Sequence, residues 1–200
     1  MANNTENQAF AVDVNKLPDN WPTNFHNDEF WSALGRTIAT FGALENTLAK
    51  AIASFSGTIK YEEDEVEQEY EKWKQKLEKA LSDPLGSLIS AFEKEVKNHP
   101  ETCISNPHDL IADLRKAVKL RNVLCHGFWG KPDKDGKTIP SFYTRSQPEK
   151  KLQVLDTPID IEYLEQTRKH VVELICAVVT TVTSMGYQFP GSDGPGEPVS

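Results

Sequence analysis

Apolar side chains recur every three or four residues along most of this chain, a spacing that places them on one face of an α-helix. The clearest stripe follows Asn27 and Asp28 and consists of Leu34, Ile38, Phe41, Leu48, Ile52 and Phe55. Similar stripes predict helices over about residues 61–81, 84–97, 106–127 and 157–185. The sequence therefore predicts a mainly α fold, an antiparallel bundle of four to five helices.

Segments rich in Asn, Pro and Gly divide the chain into three parts. Residues 1–27 are rich in Asn and contain two prolines, which predicts an extended arm. Residues 187–200 are rich in Gly and Pro, which predicts a disordered tail. The helical domain then covers residues 28–186. Within it, residues 127–156 combine β-branched and aromatic side chains with two turns, and predict a small β-meander between the last two long helices.

Composition narrows the class of protein. The net charge of −8 argues against a molecule that binds nucleic acid over its whole surface, so such binding needs a local basic region. Three cysteines far apart in sequence do not suggest a disulfide framework. The sequence has neither an apolar run long enough to span a membrane nor a signal peptide at its start. We expect a cytoplasmic protein without membrane contact.

Charged residues interrupt two apolar stripes. Glu45 occupies a position on the first helix where the spacing requires an apolar side chain, and Arg121 does the same on the fourth. A buried lone carboxylate is costly, so Glu45 should have a partner, which could be Arg121 or Arg168. Two alternatives are a glutamate that reaches solvent at an interface edge, and an ion pair that only orients the bundle.

The segment Arg121-Asn122-Val123-Leu124-Cys125-His126-Gly127 combines three side chains suited to phosphodiester cleavage. Asn122 and His126 are four residues apart and share a helix face. Arginine holds a phosphate with two hydrogen bonds, and histidine is the side chain best suited to proton transfer near neutral pH. With the ribose 2′-hydroxyl as nucleophile, these groups could cleave RNA without a metal ion or cofactor.

This motif resembles the Arg-x(4–6)-His signature of the HEPN superfamily, including the polar residue after the arginine. Leu120-Arg121-Asn122 followed by Cys125-His126-Gly127-Phe128-Trp129 is similar to abortive-infection and toxin-like members. The resemblance covers about residues 28–186. It implies a metal-independent endoribonuclease with its cleft at a homodimer interface, where Glu45 accompanies Arg121, Asn122 and His126. It also implies a toxin or antiphage role, with an antitoxin or regulatory partner.

A local basic region follows the motif. Residues 127–151 carry six cations against three acids, interleaved with aromatic side chains. We expect Lys131, Arg145, Trp129 and Lys119 to contact RNA, because cations beside stackable rings suit single-stranded RNA. The alternative is an ordinary surface hairpin with solvated lysines.

Three other interpretations stay open at this point. The chain could be a catalytically inactive HEPN-like module that binds RNA, a nucleotide or a protein, the last through its acidic second helix. It could instead be an unrelated bundle in which the motif arose by chance. A zinc site built from Cys103, His108, Cys125 and His126 lacks any Cys-x-x-Cys spacing.

Overall fold

Five α-helices form the protein in the computed structural model, which describes residues 10–100, 107–145, 152–154 and 156–191. They are α1 (Asp28–Gly57), α2 (Val66–Ser82), α3 (Leu85–Asn98), α4 (Pro107–His126) and α5 (Ile161–Thr183). The prediction of a mainly helical bundle is confirmed. Within the described ranges, no helix has the length and apolarity needed to cross a membrane.

Polar side chains fix where two of the long helices begin. The Asn27 side chain accepts a hydrogen bond from the Phe30 N–H of α1 at 2.9 Å. Asp160 does the same for the Tyr163 N–H of α5 at 2.8 Å. These bonds satisfy backbone donors that have no partner inside a helix. The predicted cap of α4, Asn106, lies outside the described residues.

The core is centred on α1, which contacts each of the other four helices. Its apolar stripe packs most extensively against α5. The largest fully buried side chains belong to α1 and to the helices around it: Phe41, Phe55, Phe92, Leu44, Leu48, Ile52, Leu88, Ile89, Leu114, Leu124 and Leu164. Thus the periodicity of three and four residues marks the buried surfaces of α1, α3 and α5. On α2 it does not, because Val66, Tyr70 and Leu81 are exposed and only Ala80 is buried.

The predicted β-meander is not seen in the described part of residues 127–156. The described part of residues 127–156 contains one antiparallel pair of three-residue strands, β1 (Tyr143–Arg145) and β2 (Leu152–Val154). Elsewhere it contributes only isolated bridges, from Phe128 to Ser141 and from Thr138 to Ile159. Pro140 lies within the expected strand segment 138–145, and proline cannot donate to a strand ladder.

Both ends of the domain differ from their predictions. Residues 10–27 form a short 3-10 helix (Val14–Lys16) and turns instead of one extended arm. At the other end, the predicted tail is wrong for residues 187–191, because Phe189 is buried in the core. The surrounding glycines and prolines obscured this apolar anchor, beside which Tyr187 also packs against the core. Residues 1–9 and 192–200 lie outside the described part.

His26 joins the N-terminal segment to the loop after α4. Its Nε2 lies 2.9 Å from the Gly130 carbonyl oxygen, and its ring stacks on Phe30 at 4.0 Å between centroids. Partial burial lowers the pKa of His26 below 6.5, and the bond to Gly130 offsets part of this shift.

We expect the stability that neutral His26 contributes to be complete above pH 6.5, the ordinary value, and to decrease as pH falls toward the lower folded pKa. The reason is that the unfolded chain binds more protons than the folded one in this interval. Thermal unfolding at neutral and mildly acidic pH measures the effect. His26→Gln, which keeps a donor for Gly130, should lose less stability on acidification. An equal loss in both proteins would contradict the assignment.

Candidate functional site

Glu45 and Arg121, the two charges that interrupt apolar stripes, face each other between α1 and α4. A terminal guanidinium nitrogen (Nη2) of Arg121 lies 3.4 Å from Oε1 of Glu45, and each side chain is a little over a quarter exposed. Arg168 instead pairs with Glu165 on its own helix. The expectation that Glu45 has a cationic partner is confirmed, and that partner is Arg121.

This ion pair lies in the wall of a cleft of about 410 Å³. The cleft is bounded by α1, by Arg121 of α4, and by the end of α2 with the turn into α3: Gly42, Glu45, Asn46, Ala49, Ala80, Leu81, Ser82, Asp83, Pro84, Leu88 and Arg121. Its size falls within the range of about 300–1,000 Å³ that is typical of small-molecule sites. The cleft is therefore large enough to hold a ligand.

Contacts of α2 keep its end in place beside the ion pair. Trp73 donates its indole N–H to the Ala53 carbonyl of α1 at 2.8 Å. Lys76 donates to the Ser56 hydroxyl of α1 at 2.8 Å and pairs with Glu95 of α3 at 2.7 Å. These contacts position the turn between α2 and α3 as the far wall of the cleft.

One polar atom of the cleft is both shielded from solvent and without a hydrogen bond among the described residues. This atom is Oε1 of Glu45, whose contact with Arg121 is an ion pair only. The other polar side chains are open to solvent, since Asn46 is exposed and Asp83 is half-buried. The guanidinium of Arg121 therefore supplies the charge that offsets the shielded carboxylate oxygen.

Asn122 and His126 do not line this cleft. At ~100° per residue, Asn122 points about 100° and His126 about 140° away from Arg121 around the axis of α4. His126 is the last residue of α4 and is exposed. Within one chain, Arg121 therefore lies beside Glu45, and Asn122 shares a helix face with His126. The arginine and the histidine lie in separate environments.

Gly127 ends α4 directly after His126. A Cβ atom at this position would lie 2.6 Å from the Val123 carbonyl oxygen and 2.9 Å from Cβ of Pro140. The Gly127 N–H also donates to that Val123 carbonyl at 2.8 Å. Only glycine allows this close approach. Gly127 therefore fixes where α4 ends and so keeps His126 at the surface.

The loop after α4 buries the aromatic ring expected to contact RNA and exposes a different one. Trp129 is 7% exposed and packs edge-on against Phe30, with 5.2 Å between centroids. The prediction that it stacks on RNA is wrong, because neither face of its ring is available, and its role is to anchor the loop to the core. Phe128, 57% exposed, is the ring that this loop presents to solvent.

Two of the cations predicted to bind RNA, Lys131 and Lys119, do not line the cleft. Lys131 is exposed in the loop after α4, and Lys119 is exposed on the side of α4 opposite Arg121. Arg145 is the last residue of β1, and its side chain falls outside the described part of the chain. RNA contact by these cations stays a prediction.

Sequence analysis did not find the cleft residues Asn46, Ser82 and Asp83. Asn46 follows Glu45 on an exposed part of α1, and the other two belong to the connection between α2 and α3. No pattern in the sequence distinguishes them from surface residues, because their proximity to Arg121 depends on how α2 packs.

The described residues contain no group of three or more His, Cys, Asp or Glu side chains arranged to hold a metal ion. Cys103, one residue of the zinc interpretation, lies outside them. Comparisons with models of known protein families, with curated proteins and with solved structures found no match to this chain.

Proposed function

We propose that this protein is a metal-independent endoribonuclease of HEPN type that acts as a homodimer. The observation that carries the proposal is the placement of Arg121-Asn122-x-x-x-His126 at the end of α4, with Arg121 facing Glu45 of α1 across a cleft. A helical bundle with these four residues in this order matches the site that the HEPN resemblance implies.

Each side chain has a role in the proposed reaction. His126 accepts the proton of the ribose 2′-hydroxyl, whose oxygen attacks the adjacent phosphorus. Arg121 stabilises the charge that develops on the phosphate oxygens, and Asn122 orients the ring of His126 or the phosphate. The bond from phosphorus to the 5′-oxygen then breaks, and that oxygen takes up a proton. The products are a 2′,3′-cyclic phosphate and a 5′-hydroxyl end.

The homodimer is the assembly that the HEPN resemblance implies, with Arg121, Asn122 and His126 contributed by each chain. A two-fold axis near the end of α4 would place the same surface of two chains together, so that His126 of one chain approaches Arg121 of the other. Glu45, paired with Arg121, would hold the guanidinium in position. Biologically, such an enzyme fits a toxin or antiphage effector in the cytoplasm, controlled by an antitoxin or regulatory partner.

Mixing two inactive variants tests the composite site. Arg121→Ala and His126→Ala should each be inactive alone, whereas subunit exchange between them should restore part of the RNA cleavage. In a mixed dimer, one site combines the intact arginine of one chain with the intact histidine of the other. A mixture as inactive as its components, despite exchange verified by mass spectrometry, would contradict a site shared between subunits.

A second candidate function is a non-catalytic HEPN-like interaction module that binds RNA, a nucleotide or a protein. The ion pair between Arg121 and Glu45 favours it, because such a pair can orient the bundle or an interface without any chemistry. The absence of His126 from the cleft of Arg121 favours the remaining interpretation, an unrelated bundle in which the motif arose by chance. Light scattering after size exclusion distinguishes the two candidate functions. If Arg121 only orients an interface, Arg121→Ala becomes monomeric, and an unchanged homodimer would count against this candidate.

A further inference from the structure

A groove with exposed apolar side chains, which we call the aromatic groove, lies where α1 ends and α2 begins. Its volume is about 300 Å³, and its lining includes Ile59, Tyr61, Val66, Tyr70 and Trp73. The first four of these residues are between 38% and 58% exposed. Single exposed apolar residues are ordinary, whereas a group of large ones around one groove indicates a binding surface.

Contacts with α1 hold the rings of the aromatic groove in place. Trp73 donates its indole N–H to the Ala53 carbonyl, and it lies so close to Gly57 that a Cβ atom there would be 3.2 Å from its Nε1. Tyr70 stacks on Trp73, with 5.9 Å between ring centroids and 22° between the ring planes. A partner therefore meets rings that are already ordered, which reduces the conformational entropy lost on binding.

The chain around the aromatic groove is acidic. Residues 61–71 contain seven carboxylates and no Lys or Arg. Among the described residues, only Glu69 of this set pairs with a cation, Lys72, and the other six carboxylates are exposed. Partial burial raises the pKa of the Tyr61 phenol, and the charge of Glu69 adds to this rise while Lys72 opposes it. A negative potential therefore surrounds the apolar side chains.

These charges decide which class of partner fits the aromatic groove. Exposed carboxylates repel the phosphates of nucleic acids and the anionic headgroups of a membrane. An isologous contact between two copies of this chain through the groove would place the carboxylates of both copies against each other. Lysine and arginine side chains are instead attracted by carboxylates, and they also bind to the faces of Trp and Tyr rings.

We propose that the aromatic groove binds a basic segment of another protein. The segment places an apolar side chain among the rings, and its flanking lysines or arginines lie against the carboxylates of residues 61–71. The apolar contact supplies most of the affinity, whereas the charges speed association and select the partner. The groove shares no lining residue with the cleft of Arg121, so the proposal goes beyond the ribonuclease function and does not depend on it.

A short fluorescent peptide, with a Leu-Phe pair flanked on both sides by lysines and arginines, tests the proposal. Anisotropy titration with the full chain should show that it binds about tenfold more tightly than two control peptides, as expected from burial of a large apolar side chain. One control has glutamates in place of the basic residues. The other keeps the basic residues but has Ser-Ser in place of Leu-Phe. Added salt should weaken binding of the basic peptide.

Tyr70→Ala removes a ring from the aromatic groove and should weaken binding of the basic peptide by about fivefold or more. Tyr143→Ala is the matched control, because Tyr143 of β1 is similarly exposed, at 62%, and lies outside the groove. Thermal unfolding should show that both variants are folded, since substitutions at exposed positions have small effects. If Tyr70→Ala does not fold, Val66→Ser alters another exposed residue of the groove and gives the same test.

Each alternative gives a result that overturns the proposal. Equal binding of the Ser-Ser peptide would mean attraction by charge alone, and equal binding of the glutamate peptide would exclude charge complementarity. An unchanged affinity in Tyr70→Ala would place the peptide elsewhere on the protein. A change of oligomeric state in Tyr70→Ala alone, measured by light scattering, would mean that a second copy covers the groove. Absence of measurable binding of the basic peptide would likewise contradict the proposal.

Discussion

Replacing His126 by alanine is expected to lower the rate of RNA cleavage by about 10²- to 10⁴-fold, the usual contribution of a general acid or base. The stability of the protein should hardly change, because His126 is exposed at the end of α4 and substitutions at exposed positions have small effects. Single-turnover cleavage of a labelled RNA, together with thermal unfolding, measures both quantities.

His170→Ala is the matched control for this experiment. His170 is also an exposed histidine, it belongs to α5, and its neighbour is Glu173 on the same helix. We expect its removal to leave cleavage unchanged. Equal rates for the two alanine variants would exclude His126 from the reaction and leave the motif without its proton-transfer group.

The second large effect concerns the core. Phe92→Ala is expected to reduce the free energy of unfolding by about 3–5 kcal/mol, because it removes a fully buried ring and leaves a cavity. Phe92 of α3 packs against Phe55 of α1, with 6.0 Å between ring centroids. Chemical denaturation measures the loss, which is a large part of the stability of an ordinary domain.

Phe128→Ala makes the same substitution at a position that is 57% exposed. It should cost much less stability than Phe92→Ala, since little apolar area returns to water. A similar loss at the two positions would contradict the burial of Phe92 between α3 and α1. The same variant also tests RNA binding, because Phe128 is the exposed ring in the loop after α4.

Local patterns were sufficient to predict the helices. Asn27 and Asp160 cap α1 and α5 as their residue types suggest, and the apolar stripes identify the buried faces of α1, α3 and α5 but not of α2. The pairing of Glu45 with a cation followed from the cost of burying a lone charge. These features depend on short-range helix geometry or on the cost of burying a charge. Both can be judged from the residue types and their spacing alone.

Features that depend on packing between distant segments could not be predicted. The sequence makes Trp129 look like an exposed ring beside cations, but contact with Phe30, about a hundred positions earlier, buries it. In the same way, Asp83 reaches the cleft of Arg121 only because α2 is fixed on α1 and α3. No local pattern encodes such contacts.

The separation of Arg121 from His126 makes the oligomeric state decisive for the proposed chemistry. On one helix these side chains point about 140° apart, and the proposed homodimer would add an Arg121 and a His126 from a second chain. The ion pair to Glu45 is compatible with either function, because it can position a catalytic guanidinium or stabilise an interface. Activity, rather than further geometry, separates these functions.

The most direct test of the central claim is incubation of the purified protein and of His126→Ala with mixed single-stranded RNA in EDTA, followed by analysis of the product ends. We expect cleavage by the unaltered protein alone, leaving 2′,3′-cyclic phosphate and 5′-hydroxyl ends. Absence of cleavage by a folded homodimer, or equal cleavage by the variant, would contradict the account.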